Sequence, residues 1–142
     1  MQFYQKVTDI FNTLSLVHES ERYIYIMDLG KKLKVEENIA DVKYLIKDCA
    51  SAAYIKIYIT EDDRIRLVVE SASMLVKGLL HLLKKCFDYE LVSNIQDFDI
   101  DKFITATNLD MHITSQRMLG FGGALKEIKK ELYKHSLKEK IS

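Results

Sequence analysis

The sequence predicts an α+β fold in which a short antiparallel sheet of about three strands packs against helices from both termini. Apolar residues recur at helical spacing near both ends of the chain, whereas apolar and polar side chains alternate between residues 54 and 69. The chain has 142 residues, 48% of them hydrophobic, which is enough to bury one core. We therefore expect residues 1–142 to form one domain.

Charge and composition narrow the possible partners and compartments. The 21 basic residues balance the 21 acidic ones, so the net charge predicts neither a nucleic acid nor a membrane surface as partner. We find no basic head with an apolar core at the start and no apolar run near the ~20 residues of a membrane span. A cytoplasmic protein is expected, with Cys49 and Cys86 as reduced thiols because two cysteines do not form a disulfide framework.

The N-terminal third predicts two helices. The first has one apolar stripe, formed by Phe3, Val7, Ile10, Phe11 and Leu14. Ser20 is the expected N-cap of the second, which runs to about Lys32 and carries Gly30 on its buried face, where a glycine permits close packing. The following segment, "KVEENIAD", is compatible with a loop or with a short helix.

The central segment predicts the sheet. "YLIKDCASAAYI", residues 44 to 55, indicates a strand, a turn at Cys49 and a second strand. The second strand alternates through Ile59, and "TEDD" supplies a turn before a third alternating run that includes Ile65 and Val69. This pair is expected to form an antiparallel hairpin.

The remaining chain predicts three helices. Ser71 or Ser73 can cap the first, whose long apolar stripe includes Cys86. A short helix is expected around 100–107 and a long one from about Ser115. The last has the apolar side Met118, Phe121, Leu125, Ile128 and Leu132.

The sequence lacks most of the motifs that mark metal, phosphate or nucleophilic sites. The four histidines do not have the HxxxH or HExxH spacing of metal sites, and there is no GxSxG nucleophile elbow. "GFGGA", from Gly120, follows no strand and lacks the lysine of a phosphate loop, so we interpret it as a small-residue face for helix packing. Cys86 shares the register of its helix's leucines and is predicted to be core, whereas Cys49 lies in a turn where a thiol can reach a partner.

Four segments in order carry a resemblance to a known family. They are "ERYIYIMDLGKKL" at 21 to 33, "DCASAAYI" at 48 to 55, "VESASMLVKGLLHLL" at 69 to 83 and "TSQRMLGF" at 114 to 121. Together they resemble the SufE family of sulfur-acceptor proteins, whose fold is like that of IscU. In that family the acceptor cysteine stands in a Gly-Cys-Gln-Ser loop, so Cys49 aligns with it. Asp48 and Ala50 replace the glycine and the glutamine.

The resemblance implies a function for the chain. A SufE-like protein takes persulfide sulfur from a pyridoxal-phosphate-dependent cysteine desulfurase of the SufS or CsdA type onto its own cysteine. It passes the sulfur to an iron–sulfur scaffold complex of the SufBCD type and needs no cofactor or metal of its own. Cys49 would be the acceptor, and Asp48, Ala50, Ser51 and Arg117 would bind the partner or support the loop. A helix dipole gives a cation near the start of the last helix no stabilisation, so Arg117 is either a solvated side chain or a residue that contacts the partner or orients the loop.

Three other interpretations stay open at this point. An IscU-type cluster scaffold requires several ligands, and this chain has no second cysteine near Cys49. A cysteine-nucleophile hydrolase or peroxidase requires a base or a resolving thiol that the sequence does not name. The third is a non-catalytic interaction domain of the same fold, in which Cys49 is incidental.

Overall fold

The structure is a computed structural model and describes residues 2–49 and 51–141. Its regular elements confirm the predicted α+β class. The helices are α1 (Gln2–Phe11), α2 (Arg22–Lys32), α3 (Met74–Phe87), α4 (Ile100–Thr107) and α5 (Ser115–Ile141), and the strands are β1 (Ala53–Ile59) and β2 (Ile65–Ser71). No described helix is both long enough and apolar enough to cross a membrane.

The sheet has two strands among the described residues, so the expectation of about three was one too many. β1 and β2 form the predicted antiparallel hairpin, with Ala53 opposite Ser71 and Ile59 opposite Ile65. The segment expected as a third strand pairs only through an isolated bridge between Leu45 and Tyr54. A 3-10 turn over Val42–Tyr44 precedes it and a turn follows at once, so too few extended residues remain to continue the ladder.

The second helix begins later than Ser20 predicts. A 3-10 turn, Glu19–Glu21, precedes α2, and the side chain of His18 accepts a hydrogen bond from the backbone N–H of Ser20. Ser20 is therefore inside the capped turn and does not cap it. After α2 the segment from 33 to 41 has no regular structure, which resolves "KVEENIAD" as a loop.

Glycines bring α2 and α3 into close contact, as the buried position of Gly30 predicts. A Cβ added to Gly30 would lie 2.5 Å from the carbonyl oxygen of Met74, and one added to Gly78 would lie 1.8 Å from that of Ile26. Both distances are far below van der Waals contact, so neither position can hold a larger residue without separating the helices. The pair fixes α2 against the start of α3.

An aromatic cluster joins the N-terminal helix to the C-terminal half of the chain. The rings of Phe87 in α3 and Phe103 in α4 are stacked 5.4 Å apart, and that of Phe3 in α1 lies 5.2 Å from Phe87. Phe121 of α5 closes the cluster at 6.1 Å from Phe103. Each ring adds a large buried apolar area, so this cluster positions α5 and, with it, the segment that α5 contacts.

Candidate functional site

The loop that carries Cys49 is fixed at one end by a buried anchor. Ile46 is almost fully buried, and its backbone N–H donates to the carbonyl oxygen of Ala53 at 2.8 Å. Lys47 and Asp48 then form a turn in which Asp48 has a φ of 66°, a left-handed conformation that favours glycine. Cys49 follows as a half-buried residue packed against the core.

Two glycines of α5 receive this loop. A Cβ added to Gly120 would lie 2.8 Å from the Sγ of Cys49, and one added to Gly123 would lie 2.5 Å from the carbonyl oxygen of Lys47. The third glycine of the motif, Gly122, has nothing within 4 Å of its added Cβ. The small-residue face predicted from "GFGGA" therefore packs against the cysteine loop, with Gly120 next to the thiol.

Cys49 also lines a cavity of about 680 Å³ between the loop, α2, α3 and the start of α5. Its lining is mainly apolar and includes Met27, Ile46, Leu75, Leu79 and Phe121. Such a cavity surrounds part of the space next to the sulfur with apolar side chains. The thiol thus lies between a solvent-facing loop and an apolar interior.

The cavity brings together some of the predicted site residues. Ser51 and Arg117 line it with Cys49, whereas Asp48 is exposed at the turn and is absent from the lining. Ala50, the remaining predicted residue, lies outside the described residues. The hydroxyl of Thr114 accepts a hydrogen bond from the backbone N–H of Arg117 at 3.4 Å, which helps to fix the first turn of α5 beside the cavity.

Sequence reasoning missed part of the cavity wall. Thr114 and Gln116 also line it, as do Tyr23 of α2 and Met74 of α3, whose side chains are largely exposed for apolar residues. Tyr23 and Met74 lie in two of the segments that carry the family resemblance, at 21–33 and 69–83. That resemblance is the sequence feature that could have pointed to them. No periodicity distinguishes them, because their place in the wall depends on the α2–α3 contact.

The second cysteine has a different environment. Cys86 is fully buried within α3, as its register predicts. Burial raises the pKa of the Cys86 thiol to about 12, so it stays protonated and unreactive at neutral pH. Cys49 is therefore the accessible thiol of the pair.

No metal-binding group adjoins this cavity among the described residues. The described residues contain one set of three side chains that can hold an ion, namely Asp63, His135 and Glu139. None of the three lines the Cys49 cavity. The described part of the site combines one thiol, a mainly apolar cavity wall with a few hydroxyl and amide groups, and a single cationic side chain, Arg117. Fold and site together define a small α+β protein that presents one half-buried free cysteine on a loop at an apolar cavity.

Comparison with known proteins identifies the family. The SufE family model, described as an Fe–S metabolism associated domain, matches residues 8–132, and the chain belongs to this family. It is 29% identical over 141 residues to the cysteine desulfuration protein SufE of Wigglesworthia glossinidia brevipalpis, covering 99% of this chain and 98% of that protein.

A solved structure shares the fold. The solution structure of a hypothetical protein from Thermus thermophilus superposes with a TM-score of 0.72, covering 91% of this chain and 94% of the other. The two sequences are 15% identical, so this likeness concerns the architecture alone.

Proposed function

We propose that this protein, acting as one domain, accepts sulfur on Cys49 from a pyridoxal-phosphate-dependent cysteine desulfurase and delivers it to an iron–sulfur cluster scaffold. The family description, Fe–S metabolism associated domain, and the name of the relative, cysteine desulfuration protein, support this direction. The observation that carries the proposal is the position of Cys49, half-buried on a turn at an apolar cavity.

The reaction requires little from the acceptor except its thiolate. The Sγ of Cys49 attacks the outer sulfur of the desulfurase persulfide, a new S–S bond forms on Cys49, and the desulfurase cysteine leaves as a thiolate. The bound sulfur atom keeps its oxidation state, so the step needs no external oxidant or reductant. A single accessible thiol without a metal or an additional base is sufficient for such an exchange.

The cavity suits the product of that step. A persulfide exposed to solvent is discharged by other thiols and is open to further oxidation. Rotation toward Met27, Leu79 or Phe121 would place the terminal sulfur of a Cys49 persulfide against apolar side chains. These side chains would keep dissolved thiols and oxidants away from that sulfur. Rotation toward solvent would expose it to a docked partner, so the loop would alternate between a sheltered and a donating arrangement.

The remaining site residues have supporting roles in this proposal. Arg117 supplies a positive charge to the cavity wall, which attracts the anionic thiolate or persulfide of Cys49. Ser51 offers a hydroxyl in the same wall. Asp48 and Ala50 flank the cysteine and would contact the desulfurase, of the SufS or CsdA type, or the receiving scaffold, of the SufBCD type.

Sulfur transfer from radiolabelled cysteine tests the proposal. The full chain is incubated with a desulfurase and ³⁵S-cysteine, and bound label is measured after removal of small molecules. We expect the wild type and Cys86→Ser to acquire label and Cys49→Ser to acquire none. Equal labelling of Cys49→Ser would refute the role of Cys49, whereas a wild type that acquires no label beside an active desulfurase would favour a non-catalytic interaction domain.

A further inference from the structure

A second cluster of reactive side chains lies where the β1–β2 turn meets the last helix. The Nε2 atom of His135 is 3.4 Å from Oδ1 of Asp63 and 3.2 Å from Oε1 of Glu139. The three potential ligand atoms all lie within 4.8 Å of one another. None of these residues takes part in the sulfur chemistry proposed above.

The backbone holds each of the three residues in place. Asp63 has a left-handed φ of 59°, its N–H donates to the carbonyl oxygen of Thr60 at 3.0 Å, and its own carbonyl oxygen accepts from the N–H of Val92 at 2.9 Å. His135 and Glu139 are four residues apart in α5 and therefore share one face of the helix. A turn and a helix thus converge on one point.

The ring nitrogen at that point is buried without a hydrogen-bond partner among the described residues. Nε2 of His135 is shielded from solvent and makes no hydrogen bond of acceptable geometry within the described part of the chain. A buried polar atom without a partner is uncommon in folded proteins and marks a place where an ion can bind. A metal ion shared by all three groups would give Nε2 a partner between the two carboxylates.

The distances favour a metal ion of small radius. A tetrahedral zinc ion with bonds of about 2.0 to 2.1 Å keeps its ligand atoms about 3.3 to 3.4 Å apart. The two distances from Nε2 of His135, 3.4 and 3.2 Å, are close to this value. The remaining pair of carboxylate oxygens can close the triangle by side-chain rotation, since the side chains of Asp63 and Glu139 are 58% and 48% exposed.

We propose that Asp63, His135 and Glu139 form a site for Zn²⁺ or a similar divalent transition-metal ion. One imidazole and two carboxylates are established ligand types for such ions, and three protein ligands leave a coordination position for water. His135 and Glu139 also line a second cavity of about 430 Å³, which provides a path for the ion. The bound ion would join the β1–β2 hairpin to α5.

Calorimetric titration with Zn²⁺ alone tests the site. The full chain is used with Cys49→Ser in every sample, so that the accessible thiol does not compete for zinc. We expect one ion per chain and a higher midpoint of thermal unfolding when zinc is present, because the ion binds only the assembled site. His135→Gln and Asp63→Asn should each weaken the affinity at least about tenfold.

The helix offers a matched control. Glu131 lies four residues before His135, as Glu139 lies four residues after it, but Glu131 is paired with Lys134 and is outside the cluster. Glu131→Gln should therefore leave zinc affinity unchanged. Asparagine tolerates the left-handed conformation at position 63, so Asp63→Asn is expected to fold. Its zinc titration therefore tests the proposal even if His135→Gln fails to fold. Absence of zinc binding, or zinc binding that Asp63→Asn leaves unaltered, would overturn the proposal.

Discussion

Substitution of Gly120 by alanine tests whether α5 holds Cys49 in its observed position. The added Cβ would lie 2.8 Å from Sγ, 3.0 Å from Cβ and 3.3 Å from Cα of Cys49. Nonbonded heavy atoms prefer separations of about 3.5 to 4.0 Å. Rotation of the cysteine side chain cannot relieve contacts with Cβ and Cα, so the loop itself must move away from the helix by roughly 0.5 Å or more.

The magnitude follows from two opposing effects. Overpacking at a well-filled contact costs about 1 to 3 kcal/mol, whereas alanine in place of glycine favours a helix by about 1 kcal/mol. Gly120→Ala should therefore lower the free energy of unfolding by up to about 2 kcal/mol. Gly122→Ala is the matched control, because nothing lies within 4 Å of its added Cβ and only the helix-propensity gain applies.

Two measurements distinguish the variants. Urea unfolding should show Gly122→Ala as the more stable of the two by about 1 to 3 kcal/mol. Alkylation of the folded proteins with iodoacetamide should modify Cys49 faster in Gly120→Ala, because the displaced loop lifts the thiol away from α5. If both variants have the same stability and the same alkylation rate, Gly120 does not hold Cys49 in its observed position.

Substitutions at three further positions give separate tests. Asp48→Gly should raise the rate of sulfur acceptance in single-turnover assays, since glycine at a φ of 66° gives the loop the conformational freedom that a side chain removes; slower acceptance would make Asp48 a partner contact. Arg117→Ala should slow transfer and Arg117→Lys should restore part of it, whereas equal rates for all three proteins would leave Arg117 a solvated side chain. The hydrogen bond from Lys84, with the charge of Arg66, holds the pKa of Glu36 below its usual 4.5, so its stabilisation is present above that pH and is lost as the pH falls through the lowered value. Urea unfolding should therefore find Glu36→Gln less stable than the wild type at about pH 7, by a difference that shrinks as the pH falls below 4.5, and a difference that stays constant in acid contradicts this account.

Local patterns were sufficient for much of the fold. Apolar stripes predicted α1, α4 and α5 because a helix that buries one face must repeat its apolar residues at helical spacing. The same register placed Cys86 in the core, where it is fully buried. Gly30 on a buried face predicted close helix packing, and the close approach of Gly30 to Met74 confirms this prediction.

The features that sequence patterns missed depend on tertiary contacts. The bridge at Leu45 looks like a strand locally, but the turns on both sides leave it too short to extend the sheet. Ser20 has the chemistry of a helix cap, yet His18 caps the preceding 3-10 turn instead. The wall positions of Tyr23 and Thr114 arise only when α2, α3 and α5 converge, so no single segment encodes them.

The most direct test of sulfur acceptance is the mass-spectrometric location of the transferred sulfur. After a single turnover with a desulfurase and ³⁴S-cysteine, free thiols are blocked and the protein is digested under non-reducing conditions. We predict one heavy sulfur on the peptide that contains Cys49 and none on the peptide that contains Cys86, whose buried, protonated thiol is inert. Heavy sulfur on Cys86, or an unmodified Cys49 beside an active desulfurase, would contradict the proposed role of this protein.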